Sequence, residues 1–335
     1  MQGTVAGVCR FVWGLVLLAC AASLAGAGDP AAPDFDRWLS ELRAEALAMG
    51  IDAATVDAAF AETQPLERVL ELDRHQPEGT LSFDAYLARV INDKRVRDGR
   101  ARLRRHGRLL AQLQRKYGVQ PRVLVALWGI ESDFGRRMGS FRVVDALATL
   151  AHDGRRSEFF RGELMNALTI LDDGHIELEK MLGSWAGAMG QPQFMPSSFL
   201  SYAVDHDGDS RADIWNSTAD ALASAANYLS RHGWDSEFKW GRRVRLPEGF
   251  DDDARRPLRA WQQLGVRRAD GSALPVVDVE GRIVRPGGPD GPAYLVYGNY
   301  DVLLKWNRSN YFASAVGILA DRLRTASTRV ASALR

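Results

Sequence analysis

The sequence predicts a mainly α fold, a large helical body interrupted late by a small β-containing insertion, and three observations carry that expectation. Apolar residues recur at helical spacing from Asp34 onward, as in the stripe Phe35, Trp38, Leu39, Leu42 and Ala46. Residues that start and stop helices punctuate the pattern, Asp52 and Ser82 as caps, Gly50 and Gly118 as ends. Only after Trp240 does the chain turn to short alternating runs separated by Gly and Pro.

Residues 1–27 read as an export signal: Arg10 is the only charge, an apolar run follows, then small residues. Two processing readings stand side by side. Ala25-Gly26-Ala27 fits ordinary signal cleavage, whereas Leu17-Leu18-Ala19-Cys20 resembles a lipobox that would remove residues 1–19 and lipidate Cys20. The expected location is therefore the periplasm, soluble or anchored by lipid to the outer membrane. Cys9 and Cys20 both lie in this segment, so the mature chain has no disulfide. Without the signal, 42 basic residues face 42 acidic ones, and that balance excludes nucleic acid as the main partner. The hydrophobic content of 46% is enough for a large core, here expected in a monomer.

The helical body is expected over residues 34–237. Phe35 opens a first helix, Asp52 caps a second, and a long helical segment runs from Ser82 to Tyr117, interrupted at Gly99 and Gly107. Its arginine-rich middle, residues 94–108, interleaves Asp98 and reads as a solvated face, with contact to an anionic polymer as the alternative. Helices are also expected over residues 143–150 and 159–170.

One helix organises the rest. It starts at Pro121, runs apolar on every side from Val123 to Ile130, and reaches Glu131-Ser132-Asp133-Phe134-Gly135. Helical steps back from Glu131 arrive at Leu127 and Leu124, so the acid shares a face with core leucines. Burial there raises the pKa of a carboxyl, and a carboxyl that keeps its proton near neutral pH can act as a general acid. A second stretch, Ser184-Trp185-Ala186-Gly187-Ala188-Met189-Gly190 with Gln193-Phe194-Met195-Pro196-Ser197-Ser198, sets neutral hydrogen-bonding groups among aromatic and small residues. Such a surface suits an uncharged polyol.

These two motifs, with Ala225-Ala226-Asn227-Tyr228, resemble the lytic murein transglycosylase B family, glycoside hydrolase family 103. The likeness runs from about Phe83 to Leu323. It implies a lysozyme-like catalytic core with an additional helical lobe. It also implies cleavage of the β-1,4 bond between N-acetylmuramic acid and N-acetylglucosamine of peptidoglycan without water, leaving a 1,6-anhydro ring, with Glu131 as sole acid and base and no cofactor required. Two residues along a helix is about 200°, so Asp133 should face away from Glu131. Hydrolytic muramidase action and non-catalytic peptidoglycan binding are the alternatives. By the same resemblance Ser184, Gln193, Tyr228, Asn307, Tyr311 and Tyr86 line the saccharide site. The family usually has Tyr before the matching Asn, and here Trp306 stands there; a phenol hydroxyl is lost while ring stacking on sugar is kept. The partners implied are glycan strands, with peptidoglycan synthases or secretion machinery as protein partners.

Asp205, Asp207, Asp209 and Asp213 fall at positions one, three, five and nine of an EF-hand-like loop. Ser210 replaces the usual Gly and Asn216 the last carboxylate, a role Asp220 would fill in the family. Structural Ca²⁺ and an Asx-rich turn both remain open readings. Beyond it, residues 238–298 are expected to form the β-containing subdomain, through runs at 242–246, 281–285 and 293–297. Residues 299–325 return to helix and complete the core and cleft, with Asn307 at the joint between the last two helices.

Overall fold

The structure is a computed structural model describing residues 34–75 and 81–324. The segment expected to be an export signal, with Cys9 and Cys20, lies outside the described residues. Fourteen α-helices and seven short strands occur among the described residues, and none of these helices is long and apolar enough to cross a membrane.

Local chemistry sets the early boundaries. Asp52 caps Ala53–Phe60 by accepting the Ala54 N–H at 2.7 Å. The segment expected as one helix from Ser82 to Tyr117 is three: Phe83–Val90, Asp93–Arg105 and Gly107–Tyr117. Ser82 caps the first and Asn92, in extended backbone, caps the second by accepting the Arg95 N–H at 2.9 Å. His106 separates the second from the third, which ends at Gly118. Gly99 does not interrupt its helix. It is buried there because Leu323 packs where a side chain would stand.

The central helix Pro121–Ser132 is buried over nearly its whole surface from Val123 to Gly129. Around it pack Asp93–Arg105, Gly107–Tyr117, Thr218–Arg231 and the last helix Asn310–Arg322. Val143–His152 and Ser157–Asp172 form a second packed pair, and the early helices lie against them. One hydrophobic cluster runs through all of these helices.

Between Trp240 and Tyr297 the chain forms an antiparallel sheet. Its strands lie in the order Arg256–Pro257, Glu280–Val284, Ala293–Val296, Gly241–Arg245, Arg267–Arg268. This sheet has a separate apolar cluster that includes Val244, Leu258, Trp261, Leu295 and Tyr297. The fully buried Trp261 donates its indole N–H to the Gly281 carbonyl at 2.9 Å, so the cluster carries no orphaned donor there. Trp240 ties sheet to helices, its ring lying against Gly317 so closely that a Cβ would overlap it. The chain then re-enters the helical body through Gly298–Trp306 and Asn310–Arg322.

Candidate active site

Glu131 is the penultimate residue of the central helix. The helix stops because Asp133 (φ 51°) and Phe134 (φ 61°) both enter the left-handed region, which costs side-chain-bearing residues about 1 to 2 kcal/mol each. Packing and hydrogen bonds hold the turn. The Phe134 ring meets Trp128 edge-on at 5.5 Å, its N–H reaches the Trp128 carbonyl at 3.1 Å, and the Gly135 N–H reaches Ser132 Oγ at 3.0 Å.

The turn sends the two acids to different surroundings. Asp133 accepts Nε and Nη2 of Arg136, each at 3.0 Å, and Arg95 Nε lies 3.8 Å away. Hydrogen bonds from Arg136 hold its carboxyl below the usual range, although partial burial opposes this. Glu131 instead shares a small cavity with Leu124, Leu127, Trp128, Ala225 and Trp306. Burial pushes its pKa up to about 8, while a hydrogen bond from Trp306 pulls the other way. By surface area Glu131 is only half-buried, so the residue keeps an opening to solvent. The protein atoms packed round the carboxyl, rather than that opening, govern its solvation.

Trp306 Nε1 donates to Glu131 Oε1 at 2.6 Å. The residue before Asn307 has therefore not simply lost a donor; its donor is aimed at the acid. Trp306 is held by rings, Tyr228 at 4.8 Å and Phe194 at 5.3 Å. Tyr228, itself stacked on His232 at 4.1 Å, donates its hydroxyl to the Lys305 carbonyl at 2.8 Å, fixing the peptide just before Trp306. Burial pushes the Tyr228 phenol up to about 12, so it stays a donor. Tyr228 thus supports the acid's partner. Its hydroxyl is already engaged within the protein.

Tyr86 stands within electrostatic reach of Glu131: burial chiefly, then the charge of Glu131, raises its pKa, and Arg95 opposes. Tyr311 packs against Tyr86 at 5.5 Å and Phe83 at 5.1 Å. Ser184 and Gln193 lie on one compact turn, closed by bridges from Met189 to Gly183 and Phe194. Ser184 Oγ accepts the Ala188 N–H at 3.0 Å and the Ala186 N–H at 3.3 Å. Gln193 (φ 53°) donates Nε2 to the carbonyls of Gly190 at 2.8 Å and Met138 at 3.1 Å, locking the turn to the loop after the central helix. At Gly139, φ 95°, a Cβ would overlap the Gly183 carbonyl, so that loop and turn touch backbone to backbone. Asn307 is exposed, and its Oδ1 accepts the Ser309 N–H at 3.0 Å, capping the joint between the last two helices.

The acidic loop brings three of its five candidate ligands together. Asp205, Asp207 and Asp209 are exposed, with one carboxylate oxygen of each within 4.8 Å of the others. Asp213 and Asp220 stand outside this group. Asp220, fully buried, accepts the N–H groups of His206 at 2.8 Å and Asp213 at 3.0 Å, and Asp213 accepts those of Trp215 and Asn216. Their oxygens close the loop on itself. Three convergent carboxylates still suit a hard divalent cation.

One site residue escaped sequence reasoning, and the role of another was misjudged. Gln191 lines the Glu131 cavity and donates to the Trp215 carbonyl at 3.0 Å. Trp306 was visible only as a departure from the family pattern, and its contact with Glu131 spans 175 positions.

A lysozyme-like helical fold closed around one desolvated carboxyl is the class that fold and site define. The chain belongs to the transglycosylase SLT-domain family, whose model matches residues 34–321. It is 35% identical over 195 residues to the membrane-bound lytic murein transglycosylase B of Escherichia coli (strain K12), an alignment covering 55% of this chain and 54% of that protein. The match thus spans about half the length of that relative. SltB3 from Pseudomonas aeruginosa, solved in complex with NAG-anhNAM-pentapeptide, is similar with a TM-score of 0.84 and 46% identity over 87% of this chain and 80% of that one. The same protein with NAG-NAM-pentapeptide gives 0.85, with the same identity and coverage. The Escherichia coli lytic transglycosylase Slt35 in complex with calcium gives 0.74 at 28% identity, over 90% of this chain and 95% of that one. The resemblance read from the sequence is thereby shown.

Proposed function

We propose that the protein is a peptidoglycan lytic transglycosylase that cleaves the MurNAc-β-1,4-GlcNAc bond without water and leaves 1,6-anhydroMurNAc ends. One observation carries the reading: among the described residues Glu131 is a lone carboxyl in its cavity, and its pKa of about 8 keeps it protonated at neutral pH. Because Oε1 accepts the Trp306 N–H, the proton belongs on Oε2. Oε2 donates it to the glycosidic oxygen as the bond to the muramyl anomeric carbon breaks through an oxocarbenium-like state. The carboxylate that forms keeps the indole N–H, a hydrogen bond that strengthens as charge develops. It then takes the proton of the muramyl 6-hydroxyl while that oxygen bonds to the anomeric carbon. Glu131 ends protonated, and no water is consumed.

A hydrolase of the usual kind needs a second carboxyl roughly 5 to 9.5 Å from the first. Among the described residues no other acid contributes to the shift of Glu131, and Asp133 is committed to arginine. The apolar walls of the cavity favour ring closure over entry of water. SltB3, a relative in complex with NAG-anhNAM-pentapeptide, lends support to the anhydro product. Ser184, Gln193, Tyr86, Tyr311 and Asn307 are assigned to the saccharide cleft, Tyr228 to the support of Trp306.

Asp205, Asp207 and Asp209 are assigned to a structural Ca²⁺, which would neutralise the crowded carboxylates and tie down the loop; the calcium complex of Slt35 supports this. Chelation is expected to lower the melting temperature and leave turnover of the folded protein unchanged. An unchanged melting temperature would favour the Asx-turn reading. The working location is the periplasm, soluble or lipid-anchored, on glycan strands.

Mass spectrometry of the products from purified sacculi tests the reaction. Muropeptides ending in 1,6-anhydromuramic acid are expected. Reducing muramic acid ends would mean that water enters and the enzyme is a muramidase, and absence of release would favour a binding protein.

A further inference from the structure

The end of the central helix opposite Glu131 carries charge that the reaction does not use. A groove of about 390 Å³ runs between helix Asp93–Arg105, the first turn of the central helix and the end of the last helix; its lining includes Arg100, Arg104, Arg122, Arg324, Gln114 and Gln120. Both glutamines are neutral, so every charged lining group is a cation. Lys239 and Arg242 extend the cluster, since the groups acting on Lys239 are Asp321, Arg242, Arg324 and Arg122. Asp321 is the single acid among them, and its Oδ2 also receives the Trp240 indole N–H at 3.2 Å.

We propose that this groove binds a small oxyanion of the phosphate or carboxylate class, held by Arg100, Arg104 and Arg122 and supported by Lys239. Arg122 occupies the first turn of the central helix, where the helix dipole also favours an anion. Size fits: a tetrahedral oxyanion with its waters needs far less than the whole groove, given about 30 Å³ per water. Crowding supports the same conclusion. Burial, opposed by Asp321 and reinforced by the neighbouring arginines, brings the Lys239 ammonium down to about 8, and burial with Arg324 lowers Arg122. A bound anion would reverse both effects and stabilise the joint of the central helix, the last helix and the strand that begins at Gly241.

Proton linkage gives the site a signature. Bound anion keeps Lys239 charged, so affinity falls as pH rises through 8, by about tenfold between pH 7 and pH 9. The test is calorimetric titration of the full chain with sodium sulfate and, separately, sodium succinate, whose charges stay fixed over this range, at constant chloride. One saturable site is expected, at least tenfold weaker in Arg122→Gln and in the exposed Arg104→Gln, with the pH dependence lost in Lys239→Met. Stronger sulfate binding assigns the site to phosphate groups, and stronger succinate binding to carboxylates. The proposal is overturned if neither anion saturates above chloride, or if Arg104→Gln and Arg122→Gln bind as the unaltered chain does. Binding is read without activity, so its failure leaves the proposed reaction untouched.

Discussion

Two carboxyl groups two residues apart have opposite environments, and the contrast is made by the end of one helix. Glu131 is still helical and faces the leucines, Trp128 and Trp306; Asp133 is already in the left-handed turn and faces Arg136 and Arg95. Burial raises the first to about 8, and hydrogen bonds from arginine depress the second. The residue type predicts neither. What matters is on which side of the helix terminus the side chain leaves the backbone, because that decides whether apolar atoms or guanidinium groups surround it.

The largest expected effect comes from abolishing the contrast at Glu131. Glu131→Gln keeps an oxygen for the Trp306 N–H but has no proton to give, and turnover should fall by about 10³ to 10⁴, measured as anhydromuropeptide release. Glycan affinity should survive. Stability should move the other way: the folded chain holds this proton up to pH 8, whereas the unfolded chain releases it near 4.5. Stability therefore falls as pH rises between those values, and the amide variant escapes the loss. It should gain about 2 kcal/mol at pH 7, allowing for the opening to solvent. Denaturant melts at pH 5 and pH 8 check the sign.

Trp306→Phe comes next. Removing the N–H removes the one influence that favours the charged acid, so the pKa of Glu131 should rise further. For the unaltered enzyme kcat/KM should decline above pH 8. In the variant that limb should shift to higher pH while turnover at neutral pH falls about tenfold, the carboxylate having lost its charge-assisted partner. An unshifted limb would mean that the indole acts only as a wall.

Much of this was legible before the structure. Apolar residues all round the helix from Val123, with Glu131 one and two turns past Leu127 and Leu124, were enough to expect a desolvated acid, because helical periodicity is local. The caps at Asp52 and Ser82 were legible for the same reason. Asn92 and His106 were not recognised as breaks, since Asn and His also occur inside helices and only the backbone conformation separates the two cases. The partner of Glu131 was hidden more deeply. Trp306 reaches it through tertiary packing against Phe194 and Tyr228, contacts between distant segments that no local spacing encodes. The acidic loop is a related case: carboxylates that accept the loop's own amides, as Asp205, Asp209, Asp213 and Asp220 do, have in sequence the same spacing as ligands for a metal.

The smallest predicted effect sharpens the comparison most. Asn tolerates the left-handed backbone that Asp133 adopts, so Asp133→Asn removes the charge without disturbing the turn. Arg136 retains Asp98 at 2.8 Å, and the lost pair is partly exposed, so stability should fall by only about 0.5 to 1 kcal/mol. Turnover should stay within about threefold, since Asp133 is asked for no proton transfer. A hydrolytic second carboxyl at this position would behave otherwise. Its amide would cost orders of magnitude in rate, and the residual products would identify the path. A large loss in Asp133→Asn accompanied by reducing ends would return the two acids to a shared mechanism, whereas near-normal release of anhydro ends would leave Glu131 to act alone.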